Sequence, residues 1–303
     1  VTEQTDEPQP RPARIESDPL GPGLYLVATP IGAARDITLR ALDVLNAADH
    51  LAAEDTRTLR HLMDIHGIPL RGRRILACHD HNENRQSAAV AAAVAEGRSV
   101  AYCSDAGTPL VADPGYRLAR AVIAEGGKVI AVPGASAVLA ALSVSGLPSD
   151  RFIFAGFAPQ PAGARRKWLS HLSAQDATAI LFESPRRIKQ TLGILCEIAP
   201  DRHMVMCREL TKKFEETLRG TAAEILAQLP EAGPKGEIVL MLDRPDMTAP
   251  ADPAEFDSEL RRLLENLSLR DAAAEIAQRY GIARRKAYQM ALAITNTSSD
   301  RKE

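Results

Sequence analysis

The chain has 303 residues, 45% of them hydrophobic and 25% charged, with a formal net charge of −2. That length accommodates two α/β domains, and the near-neutral balance excludes a general nucleic-acid coat protein, so any nucleic-acid contact falls to local basic patches. No apolar run is long enough to span a bilayer. The four cysteines, Cys78, Cys103, Cys196 and Cys207, form no C-x-x-C pair and predict reduced core thiols in a cytoplasmic protein.

Residues 1–22 are polar and proline-rich and are expected to form a disordered tail. The same stretch lacks a basic segment followed by an apolar one, so no signal peptide is expected. From Gly23 strands and helices alternate. Strands are expected at 24–28, 50–53, 74–78, 99–103 and 128–132, with a helix over 37–48 capped by Asp36 and another from Tyr116. Repeated βα units imply a mostly parallel sheet covered on both faces. A second α/β set begins near Arg151, with strands at 152–156, 179–182, 204–208, 214–219 and 237–243. The organisation expected is therefore a domain over 23–133, a second over 134–243, a linker over 244–253, and a helical module over 254–303. In that module the helices at 269–280 and 284–294, joined by Gly281-Ile282-Ala283, make a helix-turn-helix pattern. Two α/β lobes make an interdomain cleft, a common ligand site.

The strand-end loops carry the chemistry. The first holds Thr29-Pro30-Ile31-Gly32, too short of free backbone N–H groups to wrap a pyrophosphate; no G-x-G-x-x-G or P-loop is present. The second holds Glu54-Asp55-Thr56-Arg57. Two acids and an arginine there would polarise a hydroxyl or orient a substrate; equally, Asp55 or Thr56 caps the next helix and Arg57 pairs with an acid. The third, Cys78-His79-Asp80-His81-Asn82-Glu83, contains metal-ligand types, but strand alternation splits them between faces and no second cluster completes a site, so no metal is expected. Substrate contact, or capping by Asn82, fits better. The fourth, Ser104-Asp105-Ala106-Gly107-Thr108-Pro109 followed by Asp113-Pro114-Gly115, is built of small residues that let a ligand approach main chain. A Cβ at Gly107 would occupy ligand space. Basic runs occur at Arg71, Arg73 and Arg74; at Arg165, Arg166 and Lys167 beside Trp168; at Arg186, Arg187 and Lys189; and at Arg284, Arg285 and Lys286. The last opens the second helix of the helix-turn-helix, where DNA binders meet the groove. RNA contact and packing on another subunit stay equally open for it.

These motifs, with the 146–152 segment and Arg208-Glu209-Leu210-Thr211-Lys212, resemble the small-subunit ribosomal RNA methyltransferase branch of the tetrapyrrole methylase superfamily, in order from Leu24 to Asp243. The resemblance implies a class III methyltransferase fold of two α/β lobes, with S-adenosylmethionine bound in the cleft. It implies 2′-O-methylation of a cytidine ribose in 16S rRNA of the 30S subunit by a homodimer, without metal or membrane. Cofactor contacts would fall on Pro30, Asp105, Ala106, Gly107, Thr108, Pro109, Pro133, Ser136, Phe182, Glu183 and Leu210. The base would be Glu54, Asp55 or Asp105, and substrate contacts would fall on Thr29, Arg57, His79, Asn82, Arg284, Arg285 and Lys286. Members often carry Asn where this chain has Ala33. Alternatives are methylation of a corrin precursor or uroporphyrinogen, and a non-catalytic RNA-binding assembly factor; the first loop and the basic C-terminal helices speak against the tetrapyrrole substrate.

Overall fold

The computed structural model describes residues 15, 18–79, 82–245, 253–264, 267–280 and 284–299. Most of the expected tail, most of the linker, Asp80 and His81 of the third loop, and the Gly281-Ile282-Ala283 turn lie outside the described residues. The chain divides into two compact units, 1–243 and 244–303.

The first lobe is a five-stranded parallel sheet. Its strands are β1 (Gly23–Val27), β2 (His50–Ala53), β3 (Ile75–Ala77), β4 (Ser99–Cys103) and β5 (Val129–Val132), in the order β3-β2-β4-β1-β5. β4 is buried at every position, as a central parallel strand with both faces covered must be. Alternation sorts the side chains between two layers. Tyr25, Val27, Leu51, Ala53, Ala101 and Cys103 face α1 (Leu39–Ala47) and α2 (Thr56–Ile65). Leu24, Ala52, Val100 and Tyr102 face α3 (Glu83–Ala95) and α4 (Tyr116–Ala124). Ile15 and Leu20, inside the expected tail, pack on the first of these layers, and the Tyr25 hydroxyl donates to Gly21 O at 3.0 Å. Ile15, Leu20 and Gly21 therefore dock before β1 begins.

One cap differs from expectation. Residues 34–36 form a 3₁₀ turn and Ile37 is extended, so α1 starts at Leu39. Its N-cap is Thr38, whose hydroxyl accepts from Ala41 N at 3.2 Å, rather than Asp36. Both residues are good caps; the extended backbone at Ile37 selects the second.

Helix α5 (Ala137–Ser145) leads to the second lobe, with strands β6 (Phe152–Phe157), β7 (Thr178–Glu183), β8 (Met204–Arg208), β9 (Glu216–Gly220) and β10 (Ile238–Leu242) in the order β6-β7-β10-β8-β9. Only β6 and β7 run parallel; the other three pairings are antiparallel. One face packs under α6 (Ala162–Ser173), α7 (Ile188–Ile198) and α8 (Ala222–Gln228), through Leu169, Leu192, Ile225 and Leu240 among others. The other carries Ile180, Val205, Val239 and Met241 against Val138, Ala141 and Leu142 of α5 and against Ile31 of the first lobe. That apolar seam joins the lobes.

The second unit contains α9 (Pro253–Leu264), α10 (Leu269–Arg279) and α11 (Arg284–Ser299). Its own core is alanine-rich: Leu260, Ala272, Ala273, Ile276, Ala277, Ala287, Ala291 and Ile294. Ser268 caps α10 by accepting from Asp271 N. No described helix is long and apolar enough to cross a membrane.

Candidate active site

β1 and β4 are neighbours, but the chain leaves β1 towards the α1–α2 layer and β4 towards the α3–α4 layer. Open α/β sheets bind ligands where connections part in this way, at the carboxyl ends of the strands. The two loops are tied across the gap by Thr29 N to Gly107 O at 2.9 Å and Gly107 N to Thr29 O at 3.0 Å. The Thr29 hydroxyl donates to Ser104 O at 3.3 Å, and Thr108 Oγ1 donates to Ala135 O at 2.9 Å, fastening the loops after β4 and β5. Gly107 has φ +80°, and a Cβ there would lie 3.3 Å from Ile31 Cγ2 and 3.8 Å from Ala135 O. That places a Cβ beside Ile31, which with Gly107 lines the cavity described next. Farther along, Leu110 and Ala112 hold φ of 72° and 63°. Left-handed non-glycine residues of this kind concentrate in loops that clamp ligands.

A cavity of about 420 Å³ opens at this edge, within the ~300–1,000 Å³ range of small-molecule sites. The first lobe lines it with Ile31, Glu54, Asp105, Ala106, Gly107, Thr108, Val111, Ala112 and Asp113, followed by Ser136 and Ala137 at the start of α5. The second lobe adds Phe157, Phe182, Glu183, Ser184 and Pro185, and Gly236, Glu237, Ile238 and Val239. The antiparallel course of β10 produces this arrangement: its first residue, Ile238, pairs with Glu183, the last residue of β7. Of the expected cofactor contacts, Asp105, Ala106, Gly107, Thr108, Ser136, Phe182 and Glu183 line the cavity. Pro30, Pro109, Pro133 and Leu210 are absent from its lining. Leu210 instead packs with Ile31 in the seam between the lobes, and the Pro133 carbonyl accepts from the Thr38 hydroxyl at 3.4 Å.

The three carboxylates are treated differently. Glu54 lines the cavity, its N–H bonded to Cys103 O at 3.2 Å and its Oε2 buried. Asp105 also lines it, with Oδ1 accepting from Asp55 N at 3.0 Å. Asp55 lies outside the lining. It caps α2, accepting from Arg57 N at 2.8 Å, and grips the Arg57 guanidinium at 2.6 Å. The hydrogen bonds from the Arg57 side chain and backbone pull the Asp55 carboxyl down to about 2. Arg57, 89% exposed at its side chain, is thereby turned towards Asp55.

Thr29, Arg57, His79 and Asn82 do not line the cavity either. Asn82 closes the loop after β3: its Oδ1 accepts from His79 N at 2.9 Å and its Nδ2 donates to Ala77 O at 3.0 Å. Its side chain serves the turn. Arg284 begins α11 and Arg285 is exposed there; of the Arg284 and Lys286 side chains nothing is described. Arg165, in the basic run beside Trp168, is 3% exposed. It donates to Pro159 O at 3.1 Å and Gln160 O at 2.8 Å, so it holds a loop. Among the described residues no cluster of His, Cys, Asp or Glu is arranged to hold a metal ion.

Two carboxylates frame the site: the role of Glu83 is not read from the sequence, whereas Glu183 is an expected cofactor contact. Glu83, 5% exposed, reaches from α3 to accept three N–H groups at the start of α4: Gly115 at 3.0 Å, Arg117 at 2.8 Å and Leu118 at 3.3 Å. It fixes the far end of the 104–115 loop. Glu183 is fully committed at the other wall, to Arg187 at 2.8 Å, Thr191 Oγ1 at 2.6 Å and Ser184 N at 2.7 Å. The lobes meet again at Gly32, where a Cβ would lie 2.6 Å from Thr211 Oγ1 and from Lys212 Cγ. Ala33 N donates to that threonine hydroxyl at 3.1 Å. Glycine at 32 is thus a close-approach residue between lobes.

The sequence pattern of the Tetrapyrrole (Corrin/Porphyrin) Methylases matches residues 23–226, and that of the RsmI C-terminal HTH domain matches residues 250–295. The chain is 46% identical to the ribosomal RNA small subunit methyltransferase I of Mesorhizobium japonicum, over 94% of this chain and 97% of the relative. It is 40% identical to the enzyme of that name from Escherichia coli O157:H7, over 89% and 94%. In fold it is similar to a uroporphyrin-III-C-methyltransferase from Thermus thermophilus, with a TM-score of 0.51 and 22% identity over 73% of this chain and 94% of the other. With two lobes meeting over a strand-end cavity, and relatives at this identity along nearly its whole length, the chain belongs to the ribosomal RNA small subunit methyltransferase I family of the tetrapyrrole methylases.

Proposed function

We propose that this protein transfers a methyl group from S-adenosylmethionine to the 2′-hydroxyl of a cytidine ribose in 16S rRNA, acting on the small ribosomal subunit as a cytoplasmic homodimer. The observation that carries the reading is the cavity: carboxylates of the first lobe and aromatic and aliphatic side chains of the second line one space. Phe157, Phe182, Ile238 and Val239 suit a purine, and Glu54, Asp105 and Asp113 suit a ligand bearing positive charge. When bound, the donor supplies an electrophilic methyl group on a sulfonium.

The chain's own residues then have two tasks. They align the ribose oxygen with the methyl carbon, and they accept its proton as it attacks. Glu54 is the best placed base, since it lines the cavity while Asp55 is committed to Arg57 and the α2 cap. Asp105 holds the Asp55 N–H, joining the loops after β2 and β4, and from the cavity lining would supply negative charge to a bound donor. Glu83 and the Thr29–Gly107 bridge keep these loops in place before substrate arrives. Arg284, Arg285 and Lys286 would meet rRNA phosphates from the start of α11. The 40–46% identity to enzymes named for ribosomal RNA favours this substrate over a tetrapyrrole.

The reading is tested by mass mapping of 16S rRNA from cells lacking the protein, with titration calorimetry of S-adenosylmethionine against the purified chain. Loss of one 2′-O-methyl group, restored by the wild-type protein and not by Glu54→Gln, is the expected result. An unchanged methylation map would refute it.

A further inference from the structure

An aromatic ring left in water forfeits the burial that makes aromatic residues useful to a fold. Among the described aromatic residues, Tyr116, Phe157 and Phe214 are more than half exposed, at 61%, 57% and 65%. Each lies on, or within three residues in sequence of, a residue that lines the cavity or binds its lining. Phe157 lines the cavity itself. Tyr116 follows the 104–115 loop, three residues after the lining residue Asp113, and opens α4 where Glu83 anchors it. Phe214 sits two residues after Lys212, whose ammonium binds the lining residue Glu237 at 2.9 Å.

Two of these rings carry a cation. Arg120 Cζ is 5.7 Å from the centroid of Tyr116, and Lys213 Nζ is 5.6 Å from that of Phe214. The same pairing of exposed ring and cation thus occurs once on each lobe. An aromatic face beside a cation recognises a planar base attached to a phosphate: the ring stacks, and the charge meets the backbone. Unpaired RNA offers both groups at each nucleotide, whereas the bases of a duplex are already stacked.

We propose that Tyr116 with Arg120 and Phe214 with Lys213 are stacking platforms for unpaired nucleotides flanking the ribose to be methylated, one on each lobe. The proposal rests on the RNA methylation reading above and deepens it: the substrate strand is single-stranded at the cleft and straddles both lobes. Tyr116 and Phe214 would act as binding and register residues, without a part in proton transfer.

The test uses the full-length protein and two readouts: fluorescence anisotropy with a labelled unstructured RNA dodecamer, and single-turnover methyl transfer to small subunits from cells lacking the protein. Tyr116→Ala and Phe214→Ala should each weaken dodecamer binding by about 5- to 150-fold, the range for losing one base–aromatic stack. Tyr116→Trp and Phe214→Trp should stay within about threefold of wild type, and calorimetric donor affinity should be unchanged throughout. Should either Ala variant fail to fold, Tyr116→Leu and Phe214→Leu replace it and should bind as weakly. Wild-type affinity in both Ala variants, or Leu binding as well as Trp, overturns the proposal. So does conversion of an oligomer to a monomer in sedimentation velocity, since the rings would then face a second copy. A wild-type protein that binds the dodecamer but labels no small subunit defeats the methyl-transfer reading alone, because the Trp-versus-Ala comparison still decides the platforms.

Discussion

Asp55 is held at about 2 by Arg57, which leaves it a weak base at neutral pH. Its folded-state pKa lies below the ordinary 3.8, so whatever it contributes to the α2 cap is complete above about pH 4 and is lost as pH falls through 2. Glu54 has no such helix to cap and sits on the cavity wall. Single-turnover methyl transfer at saturating donor should therefore drop by about 10²–10⁴-fold in Glu54→Gln. Asp55→Asn should stay within about tenfold of wild type, with a lowered melting temperature from the weakened cap. Equal losses in the two variants would return the base to an open question. Gly107 belongs to the same scale. Gly107→Val forces a β-branched residue to φ +80° and breaks the Thr29 bridge, so it should destabilise the first lobe by about 1–3 kcal/mol in urea denaturation. Because Gly107 lines the cavity, donor affinity measured by calorimetry should fall as well.

At the scale of elements, α4 depends on a residue from another helix. Glu83 Oε1 takes three N–H groups at the α4 start, and hydrogen bonds to an ionised buried group are worth about 1.5–3 kcal/mol. Glu83→Ala should cost about 2–3 kcal/mol and raise hydrogen exchange in α4 before α1; exchange unchanged in α4 would show that the anchor is dispensable. The strand ends bearing Thr29, Glu54, Asp105 and Ser136 were legible because small residues, prolines and acids directly follow apolar runs. The partners of those loops were not. Glu83 lies 32 residues before Gly115 and carries no local mark of its target, and Arg165 reads as a surface cation because a charge in a sequence says nothing of its depth. The reversed course of β9 and β10 was hidden for a similar reason: an apolar run such as β10 reads the same in either direction. That direction brings Gly236, Glu237, Ile238 and Val239 to the cavity, and no sequence motif had singled them out.

For the whole molecule, the cavity exists only where the lobes meet, so the contacts that set their spacing belong to the active site. Ile31 crosses into the second lobe's core, and Gly32 lets Thr211 and Lys212 approach. Gly32→Val should weaken donor binding with each lobe's own sheet intact, as read by calorimetry and circular dichroism; full donor affinity would show that the clasp does not set the cavity. The helical unit has its own core and lies apart in sequence from every lining residue. A chain ending at Asp243 should therefore keep donor affinity, while binding to small subunits weakens and its salt dependence flattens through loss of phosphate contacts.

The most direct measurement of the central claim is transfer of tritiated methyl from S-adenosylmethionine by the purified protein to small subunits from cells lacking it, followed by alkaline hydrolysis. A methylated 2′-oxygen blocks cleavage of the adjoining phosphodiester, so the label should appear in a single alkali-resistant dinucleotide whose 5′ residue is cytidine, and Glu54→Gln should abolish it. Label released in alkali-sensitive mononucleotides, or no label with the donor demonstrably bound, would contradict the account.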